Sequence, residues 1–433
     1  MPDLARSNGR PQRIALVLAG GGARGAYEVG ALSALAPALA ARGESPNLLV
    51  GTSIGALNSA FFAARAHQPL EDVAQLALEM WRELRWGDAL RPLLSPSELR
   101  RLVGVGAMLA NLPGLRLPGL LDPAPLRDTL RRFVAFKRIG RNVEDGVLTA
   151  AAVVATSYAT TRSVVFHHGG PALAIDAVRA IEYMATPLAP EHVLASAAIP
   201  GAFPAVEVRR PRAAAGWYGD GGVRLNAPLA PALALGADRV VVIGLNSSVT
   251  PTGRSMRPDA IDGVAQLLQV VLSDQLGEDV ATLATVNETL APPGSAGAGH
   301  EAVPGRRRIP YIFIAPSDRL EIGRLAREVY DRHYGNLTSL VRAPNVALLG
   351  RLVNARRGAV HGELLSYLLI AREFIDDLIA LGQRDAERWL HTRHDAGLWQ
   401  VGRLPTPRTA VATGESPRRS SSSRRRPARR ASA

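Results

Sequence analysis

Short apolar runs that end in glycine and lead into segments with helical spacing occur twice near the start of the chain. Residues 13–22 (RIALVLAGGG) are such a run, and the following ARGAYEVGALSALAPAL places apolar residues at helical spacing. The pattern returns at once in NLLV (residues 47–50), the turn GTSIG and the segment ALNSAFFAARA. Two consecutive strand-helix units predict an α/β protein whose parallel sheet is covered by helices on both faces.

Further apolar runs predict more strands in the same sheet. Near-continuous apolar character is typical of strands that are buried on both faces. The runs are residues 151–156, 163–168, 239–245 and 309–316. Residues 261–290 predict one long helix or two, and residues 362–390 predict an amphipathic helix or a helix pair that packs on the domain.

The remaining segments suggest how the chain is organised. Residues 1–12 predict a flexible N-terminus, residues 13–316 the main domain and residues 317–405 a C-terminal helical extension. Within the main domain, residues 99–126 are apolar but broken by Gly and Pro, which predicts an insertion that either packs on the core or acts as a lid or binding loop. Residues 292–308 predict a flexible loop by composition.

Charge adds one further segment. The chain has 433 residues, a formal net charge of +13 and no cysteine, which excludes disulfides and thiolate metal sites. Residues 406–433 predict a disordered basic tail. Their last part, SPRRSSSSRRRPARRASA (residues 416–433), carries seven arginines and no acidic residue. This tail is either simply solvated or an electrostatic contact to anionic lipid or, without sequence specificity, to nucleic acid. We expect no specific nucleic-acid partner.

No segment predicts a secretory signal or a membrane span. The N-terminal MPDLARSNGRPQR lacks the apolar central region of a signal peptide. The longest uncharged run, residues 45–64, has the length of a span but contains Pro46 and several hydroxyl and amide side chains. We expect a cytoplasmic protein and leave peripheral membrane contact open.

The turn GTSIG places one serine between a predicted strand and a predicted helix. This is the context of a nucleophile elbow, in which a sharp turn presents the serine hydroxyl and the flanking Gly51 and Gly55 let the backbone cross closely. The N-terminus of the following helix favours negative charge. We therefore predict that Ser53 is a catalytic nucleophile and that Thr52 and Ile54 complete its elbow.

A nucleophilic serine needs a base. Nine histidines are present, including the pair at 167–168, but none has a distinctive surrounding. A carboxylate is the alternative, and Asp220 is flanked by glycines that would let its loop approach another side chain, with Gly221 and Gly222 following it. A plain Asp-Gly turn is the competing interpretation of this loop.

The first glycine turn predicts an anion site. It ends a strand and opens a helix, so successive N–H groups can point into one small space. If the two strand-helix units are neighbours in the sheet, this space lies beside Ser53, where the oxyanion of a tetrahedral intermediate would form. The residues of the turn are Gly20, Gly21, Gly22, Ala23, Arg24 and Gly25.

Other functions fit parts of the pattern. GGGARG also satisfies the dinucleotide fingerprint, but Glu44, the acidic residue at a suitable separation, lies before the second strand and not at its far end. An α/β-hydrolase with the order Ser, acid, His would have several strands before its elbow, and here one strand precedes the elbow's own. A non-catalytic lipid- or nucleotide-binding protein would need neither Ser53 nor Asp220. The histidines late enough for the second alternative are His300, His333, His361, His391 and His394.

The blocks GGGARG, GTSIG and DGG, in that order, resemble the signature of the patatin-like phospholipase family. The segment at residues 195–208 (ASAAIPGAFPAVEV) is also similar to the family's connecting segment. The resemblance is specific over about residues 13–245 and extends less specifically through the strand at 309–316. Ala19 departs from it, because many relatives carry an acidic or small polar residue there.

The resemblance implies a three-layer α/β/α fold and a catalytic dyad of Ser53 and Asp220 with no histidine. It also implies an oxyanion site in the glycine turn, helped by Arg24, and chemistry that needs no cofactor and no metal. The implied activity is that of a serine acyl hydrolase of the phospholipase A or lysophospholipase type. Its substrates would be lipid acyl esters, and the apolar insertion would contact an acyl chain or a membrane.

Overall fold

A mixed sheet of nine strands organises the described part of the chain. The structure is a computed structural model that describes residues 6–7, 10–92, 121–226, 228–245, 276–290, 307–336, 338–352, 359–393 and 397–403. The strands are β1 (Arg6–Ser7), β2 (Arg10–Pro11), β3 (Ile14–Leu18), β4 (Leu48–Thr52), β5 (Ala150–Ser157), β6 (Ser163–Gly169), β7 (Ile181–Ala185), β8 (Val206–Val208), β9 (Gly216–Asp220), β10 (Arg239–Ile243) and β11 (Tyr311–Ile314). Strands β1 and β2 pair only with each other.

Helices flank this sheet, as the α/β prediction requires. Short 3-10 turns cover Gly22–Arg24 and Arg212–Ala214. The helices are α1 (Gly25–Ala40), α2 (Ile54–Arg65), α3 (Leu70–Glu83), α4 (Trp86–Ala89), α5 (Ala124–Phe133), α6 (Phe136–Glu144), α7 (Pro190–Ser196), α8 (Gly222–Leu225), α9 (Leu229–Ala234), α10 (Leu276–Thr289), α11 (Glu321–His333), α12 (Ser339–Arg342), α13 (Pro344–Leu352), α14 (Ala359–Leu368) and α15 (Arg372–Thr392).

The centre of the sheet is parallel and fully buried. The order β11-β10-β3-β4-β5 runs in parallel, and every residue of β3, β4 and β10 is buried. Strand β6 then pairs antiparallel with β5 and parallel with β7. The two glycine-ended strands β3 and β4 are therefore neighbours, as expected, and their carboxyl ends lie at the same edge of the sheet.

One edge of β5 is shared by two strands. Strand β4 pairs with its first part, up to Thr52 opposite Val154. Strand β9 runs antiparallel along the rest of that edge and begins its pairing with Asp220 opposite Ala155. The ends of β4 and β9 therefore meet beside two adjacent residues of β5.

The predicted strands are all confirmed, with small shifts of their ends. Strands β7, β8 and β9 were not predicted, and neither were the short β1 and β2 in the segment at residues 1–12 that was expected to be flexible. Residues 362–390 fall in two helices, α14 and α15, and not in one. In the segment at 261–290 the described part is helix α10. The predictions for residues 99–120, 292–306 and 406–433 lie outside the described residues.

The C-terminal helices contact the core of the fold. Helix α15 packs along α1, where the hydroxyl of Tyr27 donates to the Asp385 carboxylate at 2.8 Å. Asp385 also forms an ion pair with Arg388 at 2.7 Å. Among the described helices, none combines the length and the apolar character that a membrane span requires.

Candidate active site

The GTSIG turn between β4 and α2 has the geometry of an elbow. Ser53 adopts φ 53° and ψ −120°, a left-handed conformation that is unfavourable for a residue with a Cβ atom. A Cβ atom placed on Gly51 would lie 2.1 Å from the carbonyl oxygen of Gly55, and one placed on Gly55 would lie 2.5 Å from that of Leu18. The two glycines therefore allow the start of α2 to cross β3 and β4 closely.

Ser53 and Asp220 meet at this edge of the sheet. The Ser53 hydroxyl donates to Oδ2 of Asp220 at 2.6 Å. The other carboxylate oxygen, Oδ1, accepts the N–H of Gly222 at 2.6 Å, and the Asp220 N–H donates to the carbonyl oxygen of Ala198 at 2.8 Å. Asp220 is 0% exposed and Ser53 is 6% exposed. The carboxylate is thus held in one orientation, with one oxygen on the serine.

Burial changes the titration of this carboxyl group. Removal from water raises the pKa of Asp220 to about 7, although the hydrogen bonds from Ser53 and from the Gly222 N–H act in the opposite direction. A carboxylate in this range exchanges protons readily near neutral pH, which is what a general base requires.

Ser196, at the end of α7, connects three parts of the site and was not found from the sequence. Its hydroxyl accepts the Ser53 N–H at 2.8 Å and donates to the carbonyl oxygen of Val154 in β5. Its carbonyl oxygen accepts the Gly221 N–H at 3.3 Å. The only sequence signal is its place in the segment at 195–208, which leads to the Asp220 loop.

Asn226 anchors the first glycine turn to the Asp220 loop. Its Oδ1 accepts the Gly20 N–H at 3.1 Å, and its side-chain N–H donates to the Gly20 carbonyl oxygen at 3.3 Å. Just before it, the Leu225 carbonyl oxygen accepts the Thr52 hydroxyl at 3.0 Å. A Cβ atom on Gly20 would also lie 2.9 Å from the Cβ of Ser53, so the turn runs directly beside the serine.

The amides of the turn divide into two groups. The Arg24 N–H donates to the Gly21 carbonyl oxygen at 3.2 Å, and the Gly25 N–H donates to that of Gly22. Within the described residues, the N–H groups of Gly21, Gly22 and Ala23 donate no hydrogen bond. These three amides are the ones that remain as candidates for an oxyanion site.

The Arg24 side chain is directed to helix α14 and not to the serine. Its Nη2 donates to Oε2 of Glu363 at 2.6 Å, and its Nε donates to the Ser366 hydroxyl at 2.8 Å. Arg24 is 1% exposed. These contacts place the guanidinium on α14, and the expectation that Arg24 helps the oxyanion site stays a prediction.

The described histidines and Glu44 have other partners. Among the described rings, His167 contacts the Gly169 carbonyl oxygen and His192 contacts that of Arg210, and no histidine is hydrogen-bonded to Ser53 or Asp220.

Glu44 pairs with Arg239 and accepts the indole N–H of Trp399 at 2.8 Å. These contacts favour neither a histidine base nor a ribose-binding role for Glu44.

The model of the family described as patatin-like phospholipase matches residues 16–233, about half of the chain. The chain belongs to the patatin-like phospholipase family. The matched region of this patatin-like protein contains Ser53, Asp220 and the glycine turn, and it ends before helices α14 and α15.

Other comparisons add little to this. The solved structures that match include VipD from Legionella pneumophila, with 13% sequence identity and a TM-score of 0.30. The match covers 70% of this patatin-like chain and 62% of the VipD chain, and at this TM-score we base no argument on it. No curated protein sequence matches the chain significantly.

Proposed function

We propose that this protein is a serine acyl hydrolase of the phospholipase A or lysophospholipase type, with Ser53 as nucleophile and Asp220 as general base. One observation carries the proposal: the Ser53 hydroxyl donates at 2.6 Å to a carboxylate that is fully buried. A buried carboxylate costs free energy to maintain, and a protein that only bound lipid would need neither this group nor the strained serine.

In the first half-reaction, Ser53 Oγ attacks the acyl carbonyl carbon while its proton passes to Asp220 Oδ2. The carbonyl oxygen becomes an oxyanion, and the amides of Gly21, Gly22 and Ala23 are the donors that would stabilise it. The tetrahedral intermediate then collapses. Asp220 returns the proton to the oxygen of the leaving alcohol, and the acyl group remains on Ser53.

In the second half-reaction, Asp220 takes a proton from a water molecule, which attacks the acyl-Ser53 carbonyl. Collapse of this intermediate releases the carboxylic acid, and Asp220 gives the proton back to Ser53 Oγ. One carboxyl group thus serves as base and acid twice in a cycle, which requires a pKa near the working pH.

Covalent labelling tests the proposal. We expect the protein to hydrolyse a soluble short-chain ester and to react with a fluorophosphonate, where Ser53 Oγ bonds to phosphorus and fluoride leaves. The adduct should be found by mass spectrometry on Ser53 in the tryptic peptide of residues 43–65. Ser45 and Ser59 lie in the same peptide and serve as internal controls. An unlabelled Ser53, together with no ester turnover, would refute the proposed function.

We expect kcat/KM for a neutral ester to depend on the ionisation of Asp220. Because the pKa of this group is raised to about 7, the base is mostly protonated at pH 5, and activity should rise about tenfold per pH unit until it levels off above pH 7. The profile is measured from pH 5 to 9. Activity that is flat over this range, or that falls with pH, would contradict the assignment.

The same shift predicts a change in stability. Since the folded-state pKa lies above the ordinary value of 3.8, the folded protein binds an extra proton between about pH 4 and 7, and its stability falls as pH rises through that range. Asp220→Asn removes the free-energy cost of ionising this buried group. The variant should therefore be more stable than the wild type at pH 8, and the difference in stability should be smaller at pH 5. Denaturant unfolding at both pH values provides the comparison.

A further inference from the structure

Helix α14 lies outside the family-matched region, yet it contacts the glycine turn beside the serine. The helix spans Ala359–Leu368 and begins more than a hundred positions after residue 233, where the match to the family model ends. Gly22 in the turn has φ +59°, and a Cβ atom placed on it would lie 2.1 Å from the carbonyl oxygen of Tyr367. The backbone of the turn and the backbone of α14 are therefore in direct contact.

Arg24 joins the turn to the same helix. In addition to its bonds with the Glu363 carboxylate and the Ser366 hydroxyl, its Nη2 donates to the Glu363 carbonyl oxygen at 3.0 Å. The guanidinium also lies over the ring of Tyr367, at 4.0 Å from the ring centre. A planar cation held on several atoms in this way has little freedom to rotate.

Glu363 is itself fixed from the opposite side. Its Oε1 accepts the N–H of Gly323, near the start of α11, at 2.9 Å, while Oε2 binds Arg24. Helix α14 approaches α11 closely at Gly362. A Cβ atom placed on this glycine would lie 2.3 Å from the Gly323 carbonyl oxygen. Glu363 and Arg24 are both almost fully buried, so removing either partner would leave the other charge buried without this ion pair.

We propose that Glu363 is a positioning residue for the oxyanion site. It acts through Arg24, the last residue of the 3-10 turn that contains Gly22 and Ala23, and so fixes the direction in which the free amides point. Stabilisation of an oxyanion depends on donors that are already oriented, and small displacements reduce turnover strongly. This inference rests on the proposed acyl hydrolase function. It assigns a role in that reaction to a residue of the C-terminal extension.

Glu363→Gln tests the proposal with little change in shape. Both carboxylate oxygens of Glu363 accept hydrogen bonds, but the amide that replaces them has only one oxygen. Its NH2 group must face one of the two donors, either Arg24 or the Gly323 N–H, so the turn should lose its orientation. We expect kcat for a soluble short-chain ester to fall about tenfold or more, with KM changed less than about twofold. The pH profile should keep its midpoint, because Asp220 is not a partner of Glu363.

Asp385→Asn is the matched control. Asp385 is also a buried, ion-paired carboxylate of the C-terminal helices, and it contacts α1 through Tyr27 and not through the turn. Its replacement should lower Tm to a similar extent while leaving kcat unchanged at temperatures well below Tm. A loss of kcat in Glu363→Gln that is no larger than in Asp385→Asn would overturn the positioning role.

A double-mutant cycle tests whether Glu363 acts through Arg24. Arg24→Met should lower kcat at least as much as Glu363→Gln, and the double variant should be no slower than Arg24→Met alone. Losses in kcat that simply multiply would show that Glu363 acts by another route and would overturn the proposal.

Amide hydrogen exchange separates this inference from the proposed function. The N–H groups of Arg24 and Gly25 are hydrogen-bonded within the turn and should exchange about tenfold faster in Glu363→Gln, but not in Asp385→Asn. This measurement requires no substrate. Absence of ester turnover in the wild type would refute the proposed function, and in that case the exchange rates alone decide whether Glu363 orders the turn. Unchanged exchange would then refute the inference.

Discussion

Replacing Ser53 with alanine or Asp220 with asparagine is expected to lower ester turnover by a factor on the order of 10³ or more in each case. Alanine removes the nucleophilic oxygen. Asparagine keeps the shape of Asp220 but cannot accept the serine proton, because its amide nitrogen is not basic. Since both groups act in the same steps, the double variant should be little slower than either single variant.

Controls for this result are available on the same elements. Ser59 lies on α2 in a buried position, and its hydroxyl has no hydrogen-bond partner among the described residues. Ser59→Ala should therefore retain wild-type turnover. Fluorophosphonate labelling should disappear in Ser53→Ala and slow strongly in Asp220→Asn. If Asp220→Asn kept most of the ester turnover, another residue would have to be the base.

Gly22→Ala is expected to damage both stability and turnover. Alanine at φ +59° costs on the order of 1–3 kcal/mol, and its Cβ would in addition lie 2.1 Å from the Tyr367 carbonyl oxygen. Relief of this contact must move either the turn or helix α14. Because the Gly22 N–H is one of the candidate oxyanion donors, we expect turnover to fall about a hundredfold as well.

Gly43→Ala separates the two causes. Gly43 has φ +66°, a similar conformation, but a Cβ atom there meets nothing within 4 Å. It should therefore carry the conformational cost without the contact and without loss of turnover. Urea unfolding and kcat of both variants provide the comparison. Equal effects in the two variants would show that the close approach of α14 to the turn has no consequence for the site.

Sequence patterns predicted the parallel centre of the sheet because its strands are near-continuous apolar runs, and glycines mark the ends of the first two. Strand β9 escaped prediction, since only Trp217 and Tyr218 in GWYGD favour a strand, whereas its two glycines and Asp220 do not. The elbow was also predictable, because Gly51 and Gly55 are a local requirement of the crossing between β4 and α2. The prediction that Asp220 is the base of Ser53 depended on the family resemblance, because the sequence around Asp220 is equally typical of a plain Asp-Gly turn.

Long-range contacts account for what the sequence could not predict. The Arg24 side chain next to a glycine turn suggested an anion-binding role, but its partner Glu363 lies 339 positions away, and no local pattern marks it. Asn226 holds the turn through two hydrogen bonds to Gly20, and Ser196 holds the elbow by accepting the Ser53 N–H; both residues come from distant segments. Polar groups of this kind become visible only when the packing of the helices on the sheet is known.

The shared edge of β5 has a consequence for how such a protein can diversify. Ser53 and Asp220 are separated by 167 positions, yet Thr52, which precedes Ser53, and Asp220 itself pair with adjacent residues of a single strand. Because both attachments lie on one strand, a change in the twist of the sheet would move the two groups together. The intervening chain can therefore gain, lose or remodel segments without changing the distance between these two side chains.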